Sequence, residues 1–228
     1  MNKPKQLTFP WNKVNKSSLE GFYTSQENSH LVSLLKDRSF LDDLFIYGTK
    51  ESGKTFLLQA MCNSYSSVSK SSLYIPLKKV MNYGVEIFES LENIDLICVD
   101  GIEEAISKIE WEKAIFNLIN KALISETRLI LTSSEDLQSI NFSLPDLESR
   151  IRKIQSYELH PVNDKDIFDA LKYISKLTSI NLGDKEAKYL VTYSQRNISN
   201  LVHILESLDQ LSMEMKRKIT IPLIKEVI

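Results

Sequence analysis

The chain has 228 residues with 28 Lys+Arg, 30 Asp+Glu and a net charge of −2, and 43% of it is apolar and 25% charged. That length admits one large domain, or a core with a smaller companion, and buries roughly 70% of the unfolded surface. The composition excludes disorder as the main state, and the charge balance argues against a broad nucleic-acid-binding face while leaving room for a local basic patch.

Taken in chain order, residues 1–18 read as a polar arm carrying Lys3, Lys5, Lys13 and Lys16 and interrupted by Pro4 and Pro10. One apolar patch stands out in it, Gln6-Leu7-Thr8-Phe9-Pro10-Trp11. A compact domain is expected from Leu19, with Leu31, Leu34 and Leu35 at helical spacing. Leu44-Phe45-Ile46-Tyr47 is a short apolar strand that runs into Gly48, and a helix follows from near Gly53. Leu73-Tyr74-Ile75 is a second strand, closed by Pro76, and Ile94 to Val99 a third, ending in Asp100. Trp111, Ala114, Ile115, Leu118 and Ile119 share a helix face. Leu129-Ile130-Leu131, closed by Thr132-Ser133-Ser134, is a fourth strand, and Tyr157-Glu158-Leu159 a fifth. Near-continuous apolar strands separated by helices predict a three-layer α/β core with a parallel sheet.

After Pro161 only helices are predicted. Asn163 is a plausible N-cap ahead of Ile167, Leu171 and Ile174, and Asp184 ahead of Ala187, Leu190 and Val191. Ile198, Leu201, Leu205 and Leu208 give a third helix, and Thr220 with Pro222 begins a fourth. The expected organisation is an arm over 1–18, an α/β core over 19–160 and a small all-α domain over 161–228. No apolar run approaches the ~18 residues of a membrane span. Cys62 and Cys98, with no secretory signal, predict buried free thiols in a reducing cytoplasm. His30, His160 and His203 show no metal-ligand spacing.

Gly48-Thr49-Lys50-Glu51-Ser52-Gly53-Lys54-Thr55 fits G-x-x-x-x-G-K-[ST] and lies between a strand and a helix, the context this loop requires. Glycines let several backbone N–H groups face one anion, and the helix start adds its dipole. Lys54 is placed to reach the β- and γ-phosphates of a nucleotide and Thr55 to ligand Mg²⁺. Asp100, at the end of an apolar strand, is the expected holder of the Mg²⁺ water shell. Gly101 follows it where hydrolysing relatives commonly carry a second carboxylate, and Glu103 and Glu104 are expected to face solvent. The site is therefore expected to bind nucleotide better than it hydrolyses it.

The loop, the Asp100 strand, the polar Thr132-Ser133-Ser134 and the trailing helices give the chain an AAA+ layout. Leu144-Pro145-Asp146-Leu147-Glu148-Ser149-Arg150, Glu110-Trp111-Glu112-Lys113-Ala114-Ile115-Phe116, Leu208-Asp209-Gln210-Leu211 and the stretch from Lys218 to Glu226 resemble the Hda family of DnaA-related AAA+ proteins, regulatory inactivators of replication initiation. The resemblance implies an AAA+ P-loop core with a small all-α lid, ADP or ATP with Mg²⁺ as ligands, and Ser133 as the polar sensor beside the nucleotide. It implies that Arg150 is an arginine finger acting in trans on the ATP of DnaA. Ser199 falls at the lid's usual arginine position, leaving Arg196, three residues earlier, as the candidate substitute. The arm resembles the Gln-Leu-x-Leu-Pro-type peptide of sliding-clamp ligands, with Gln6, Leu7, Phe9 and Pro10 as contacts. DNA is then met only through the clamp, and the protein is placed in the cytoplasm beside the nucleoid, with homo-oligomerisation left open. The length leaves no expected room for a helix-turn-helix domain.

Bland alternatives stand beside each of these. The arm folds back on the core through Phe9 and Trp11, or Arg150 is one member of a basic face with Arg152 and Lys153. A P-loop ATPase or helicase loader turning over its own ATP, and a scaffold that binds initiator or clamp without triggering hydrolysis, compete with the regulator.

Overall fold

The computed structural model describes residues 17–91 and 93–228. Five strands, β1 (Leu44–Tyr47), β2 (Ser72–Pro76), β3 (Leu96–Asp100), β4 (Arg128–Ser133) and β5 (Gln155–Glu158), form one parallel sheet in the order β2-β3-β4-β1-β5. Alternation along the strands explains their apolar character. Phe45, Ile97, Val99, Leu129 and Leu131 enter one core, while Leu44, Ile46, Leu96, Cys98 and Ile130 enter the other, so both faces need covering.

The covering helices are α1 (Ser29–Lys36) and α2 (Lys54–Ser66) on one face, with α3 (Leu77–Val80), α4 (Ile109–Ser125) and α5 (Pro145–Ile151) on the other. α4 buries Trp111, Ile115, Leu118, Ile119 and Ala122, and α2 buries Leu57, Leu58, Ala60 and Met61. Truncating one such leucine to alanine costs about 2–5 kcal/mol. A third core is built from α6 (Ile167–Leu177), α7 (Asp184–Tyr193), α8 (Ile198–Met215) and α9 (Ile221–Lys225), through Leu171, Leu190, Leu201, Leu205 and Leu223. This is the helical lid.

Two expected caps differ. Asn163 Oδ1 accepts from the amides of Lys165 and Asp166, both at 3.1 Å, so it closes the turn before α6, whose cap is Asp166. Asp184 is the first residue of α7 after the cap Gly183, and its carboxylate is drawn to the Lys172 ammonium at 2.8 Å. β4 continues through Thr132 and Ser133, because both pair with β1. β3 starts at Leu96, two residues after Ile94, and β5 starts at Gln155 and ends at Glu158, one residue short of Leu159. Cys62 is only half-buried, packed against the cluster that holds buried Cys98, and both are free. Among the described residues no helix is long and apolar enough to cross a membrane, and no cluster of His, Cys, Asp or Glu is arranged to hold a metal ion.

The lid meets the core through named contacts. Just ahead of the lid, Asn28 and His160 exchange two hydrogen bonds that fix the end of the core, Nδ2 to the His160 carbonyl at 2.8 Å and the His160 amide to Oδ1 at 2.9 Å. The Tyr173 hydroxyl donates to the Glu20 carbonyl at 2.6 Å. Asn197 Nδ2 donates to Glu51 in the phosphate loop, while its Oδ1 caps α8 through Ser199 and Asn200.

Candidate nucleotide site

The loop 48–55 joins the carboxyl end of β1 to α2. Gly53 caps α2 with φ +104°, a left-handed conformation, and a Cβ there would lie 2.8 Å from the Phe22 ring. A Cβ on Gly48 would lie 2.3 Å from the Leu159 carbonyl oxygen. Glycine is required at both positions, and the cap supplies no side chain to consume the first amides of α2. Those amides are the donors an anion needs.

Lys54 Nζ donates to the Gly48 carbonyl at 2.6 Å, the Thr49 carbonyl at 2.8 Å and Ser52 Oγ at 3.4 Å. Burial pulls its ammonium below the ordinary lysine range, against the opposing charges of Glu103 and then Asp100. Thr55 Oγ1 donates to Asp100 Oδ2 at 2.6 Å, so the two oxygens predicted for the metal are already adjacent. Asp100 also accepts from the Tyr74 hydroxyl at 2.8 Å and from Thr132 Oγ1 at 2.7 Å. Burial, then the charge of Asp100, pushes the Tyr74 hydroxyl well above its usual range, so it stays a donor. Asp100 is the hub of the site, and Tyr74 and Thr132 are partners that motif matching did not supply.

Thr132 shares the α2-facing side of the sheet with Ile130, by the two-residue period of a strand. Ser133 is fully buried and its side chain points to the other side, where Oγ accepts the Glu135 amide at 3.0 Å. Its carbonyl nonetheless accepts from the Gly48 amide at 3.2 Å, tying β4 to the loop.

Glu103 does not simply face solvent. Gly101 has φ +81°, and this left-handed step starts a 3₁₀ turn, Ile102–Ala105, whose Ile102 and Ala105 are buried. The turn brings Glu103 inward. Its Oε1 accepts the Ser134 amide at 3.0 Å, and its Oε2 is buried without a hydrogen-bond partner among the described residues. Glu104 contributes through its backbone: its amide donates to the Gly101 carbonyl at 3.1 Å and its carbonyl accepts from Lys108 Nζ at 2.7 Å.

Arg196 pairs within the lid. It is exposed and lies 3.7 Å from Asp164, and its neighbour Asn197 makes the lid's contact with Glu51. Lys50 and Glu51 are exposed on the loop. Arg150 is half-buried on α5, which feeds the amino-terminal end of β5, whereas the loop follows the carboxyl end of β1. In a parallel sheet these are opposite ends of the strands. Among the described residues the Arg150 side chain has neither an ion pair nor a hydrogen bond; Arg152 is bound to Glu148 at 3.0 and 2.6 Å. Gln6, Leu7, Phe9 and Pro10 lie outside the described residues.

Sheet order, phosphate loop, Asp100 hub and helical lid together define an AAA+ P-loop protein. Residues 43–168 match the AAA domain model and residues 164–228 the model of the Hda lid domain. The chain belongs to the AAA domain family, as an Hda-like, DnaA-related AAA+ protein. An uncharacterised Haemophilus influenzae protein is 33% identical over 227 residues, covering 98% of both chains. Domain III of the Thermotoga maritima replication initiation protein DnaA shares the fold with a TM-score of 0.75 at 19% identity, covering 94% of this chain and 98% of that one. AMPPCP-bound DnaA of Aquifex aeolicus gives a TM-score of 0.70 at 21% identity, covering 88% and 67%.

Proposed function

We propose that this protein is a nucleotide-bound regulator of replication initiation that stimulates ATP hydrolysis by DnaA through Arg150. The observation that carries this reading is the separation of the two halves of a hydrolytic site on one chain. The phosphate loop lies at the carboxyl end of the strands, and Arg150, without an ion pair or side-chain hydrogen bond among the described residues, lies on α5 toward the amino end. A guanidinium placed at the other end of the strands from its own loop supports a use on a neighbour's nucleotide.

In this reading the amides at the start of α2 and the Lys54 ammonium bind the phosphates of ADP or ATP. The hydroxyl of Thr55 and the carboxylate of Asp100 are hard oxygen donors of the kind Mg²⁺ takes, directly or through water. When bound, the ion neutralises phosphate charge. Tyr74 and Thr132 hold the Asp100 carboxylate by donating to it, and Asn197 on Glu51 holds the lid over the loop. The nucleotide's part is structural, ordering core against lid. The arm over 1–18, core over 19–160 and lid over 161–228 then divide clamp tethering, nucleotide binding and closure. The working form is placed in the cytoplasm near DNA, through the clamp. The test is phosphate release from this protein alone, from DnaA alone, and from their mixture with DNA-loaded clamp; only the mixture is expected to be fast.

The arm carries its own prediction. Leu7→Ala with Phe9→Ala removes two apolar anchors from a short peptide, at a cost of about 2–4 kcal/mol, enough for a micromolar contact to vanish. Clamp retention on a column is expected to be lost with the melting temperature unchanged. Undiminished retention makes the arm a strap on the core.

One observation favours the second reading, an enzyme turning over its own ATP: the carboxylate oxygen of Glu103 that is buried without a hydrogen-bond partner among the described residues, on a side chain whose charge acts on Lys54. The regulator reading predicts slow phosphate release from the protein alone and no change in Glu103→Gln. If Glu103 polarises an attacking water, that rate falls about 10²–10⁴-fold while ADP affinity holds.

A further inference from the structure

Glu112 is fully buried, although it is a carboxylate in the first turn of α4. Such burial is costly unless the charge is hydrogen-bonded. Among the described residues its partners are three backbone amides from two loops. Oε1 accepts from Ser107 at 2.9 Å and from Ser143 at 3.1 Å, and Oε2 accepts from Leu144 at 2.7 Å. Ser107 lies just beyond the turn that carries Glu103 and itself has φ +62°. Leu144 is the N-cap of α5 and provides no side-chain cap.

α5 has only seven residues, too few for a helix to set its own orientation in water. Leu147 and Ile151 pin its inner face, but two apolar side chains leave rotation and sliding about the axis weakly fixed. A slip of one residue turns the helix by about 100° and points Arg150 elsewhere. The Glu112 carboxylate fixes the entry of α5 at two consecutive amides, and it fixes them against the end of the turn beside the phosphate site.

We propose that Glu112 is a positioning residue for Arg150, holding α5 in the register and rotation that present the guanidinium to a partner's nucleotide. This rests on the finger reading above. Glu112→Gln puts an amide where Oε1 and Oε2 accept, so one nitrogen must face a backbone donor. Glu112→Asp keeps the charge but shortens the reach.

The experiment titrates DnaA and DNA-loaded clamp with wild type, Glu112→Gln, Glu112→Asp and Arg150→Ala. It reads the plateau and half-saturating concentration of stimulated hydrolysis, the stoichiometry of ADP binding, and hydrogen exchange over 143–151. Expected for both Glu112 variants is full ADP stoichiometry, an unchanged half-saturating concentration, a plateau lower by about 10- to 100-fold as for a small misplacement of a catalytic group, and faster exchange in α5. If Arg150→Ala keeps stimulation, the finger reading falls and this proposal with it. If Arg150→Ala loses stimulation but the Glu112 variants keep it, only the positioning role falls. If both Glu112 variants fail to bind ADP or to fold, Glu112 is a fold residue and the proposal is overturned.

Discussion

Arg150→Ala is expected to leave nucleotide and clamp binding intact and to lower the stimulation of DnaA's ATP hydrolysis by about 10³-fold or more, the range of arginine fingers elsewhere. The guanidinium is needed only where charge develops on the transferring phosphoryl group, so ground-state assembly should hardly change. Arg150→Lys is expected to fail as well, since an ammonium is a point charge without the planar fork. Arg152 is the internal control. Its guanidinium is bound to Glu148 one turn earlier, whereas that of Arg150 has no described partner. Arg152→Ala should therefore cost little. If both changes hurt equally and both recover at lower salt, the segment is an electrostatic docking surface.

Lys54→Ala is expected to abolish tight nucleotide binding. The ammonium now sits among the Gly48 and Thr49 carbonyls and Ser52, close enough to Glu103 and Asp100 to feel both charges. Removing it deletes the mobile cation and leaves two carboxylates facing an incoming anion. A charge-assisted hydrogen bond is worth about 1.5–3 kcal/mol, so ADP affinity should fall at least about 10- to 150-fold by calorimetry. Equal affinity in wild type and variant would place the nucleotide elsewhere.

The sheet was readable from sequence because its central strands β1, β3 and β4 are apolar on both faces, and the loop because few residue types satisfy its geometry. The ends of elements were less so. Asn163 and Asp184 have the chemistry of caps, but Asn163 closes a turn three residues before the cap of α6, and Asp184 sits one residue inside α7 and pairs with Lys172 on α6. The misjudged glutamate is more instructive. Gly101 read as a missing carboxylate, yet its positive φ starts the turn that brings Glu103 inward. The buried Ile102 and Ala105 on either side were the available signal. Thr132 was legible too, since it continues the two-residue period of Ile130, whereas attention to the strand's end selected Ser133. Tyr74 reaches Asp100 from the neighbouring strand, and Glu112 holds amides up to 32 positions away, so both belong to pairings that no local pattern encodes.

The central claim is that hydrolysis happens on the partner's nucleotide and not on this protein's own. DnaA loaded with labelled ATP and freed of excess nucleotide is mixed with this protein carrying unlabelled ADP and with DNA-loaded clamp. The account predicts conversion of the label to ADP while still bound to DnaA, at a rate set by this protein's concentration and lost with Arg150→Ala. Label converted no faster than on DnaA alone, or converted only after transfer to this protein, would contradict it.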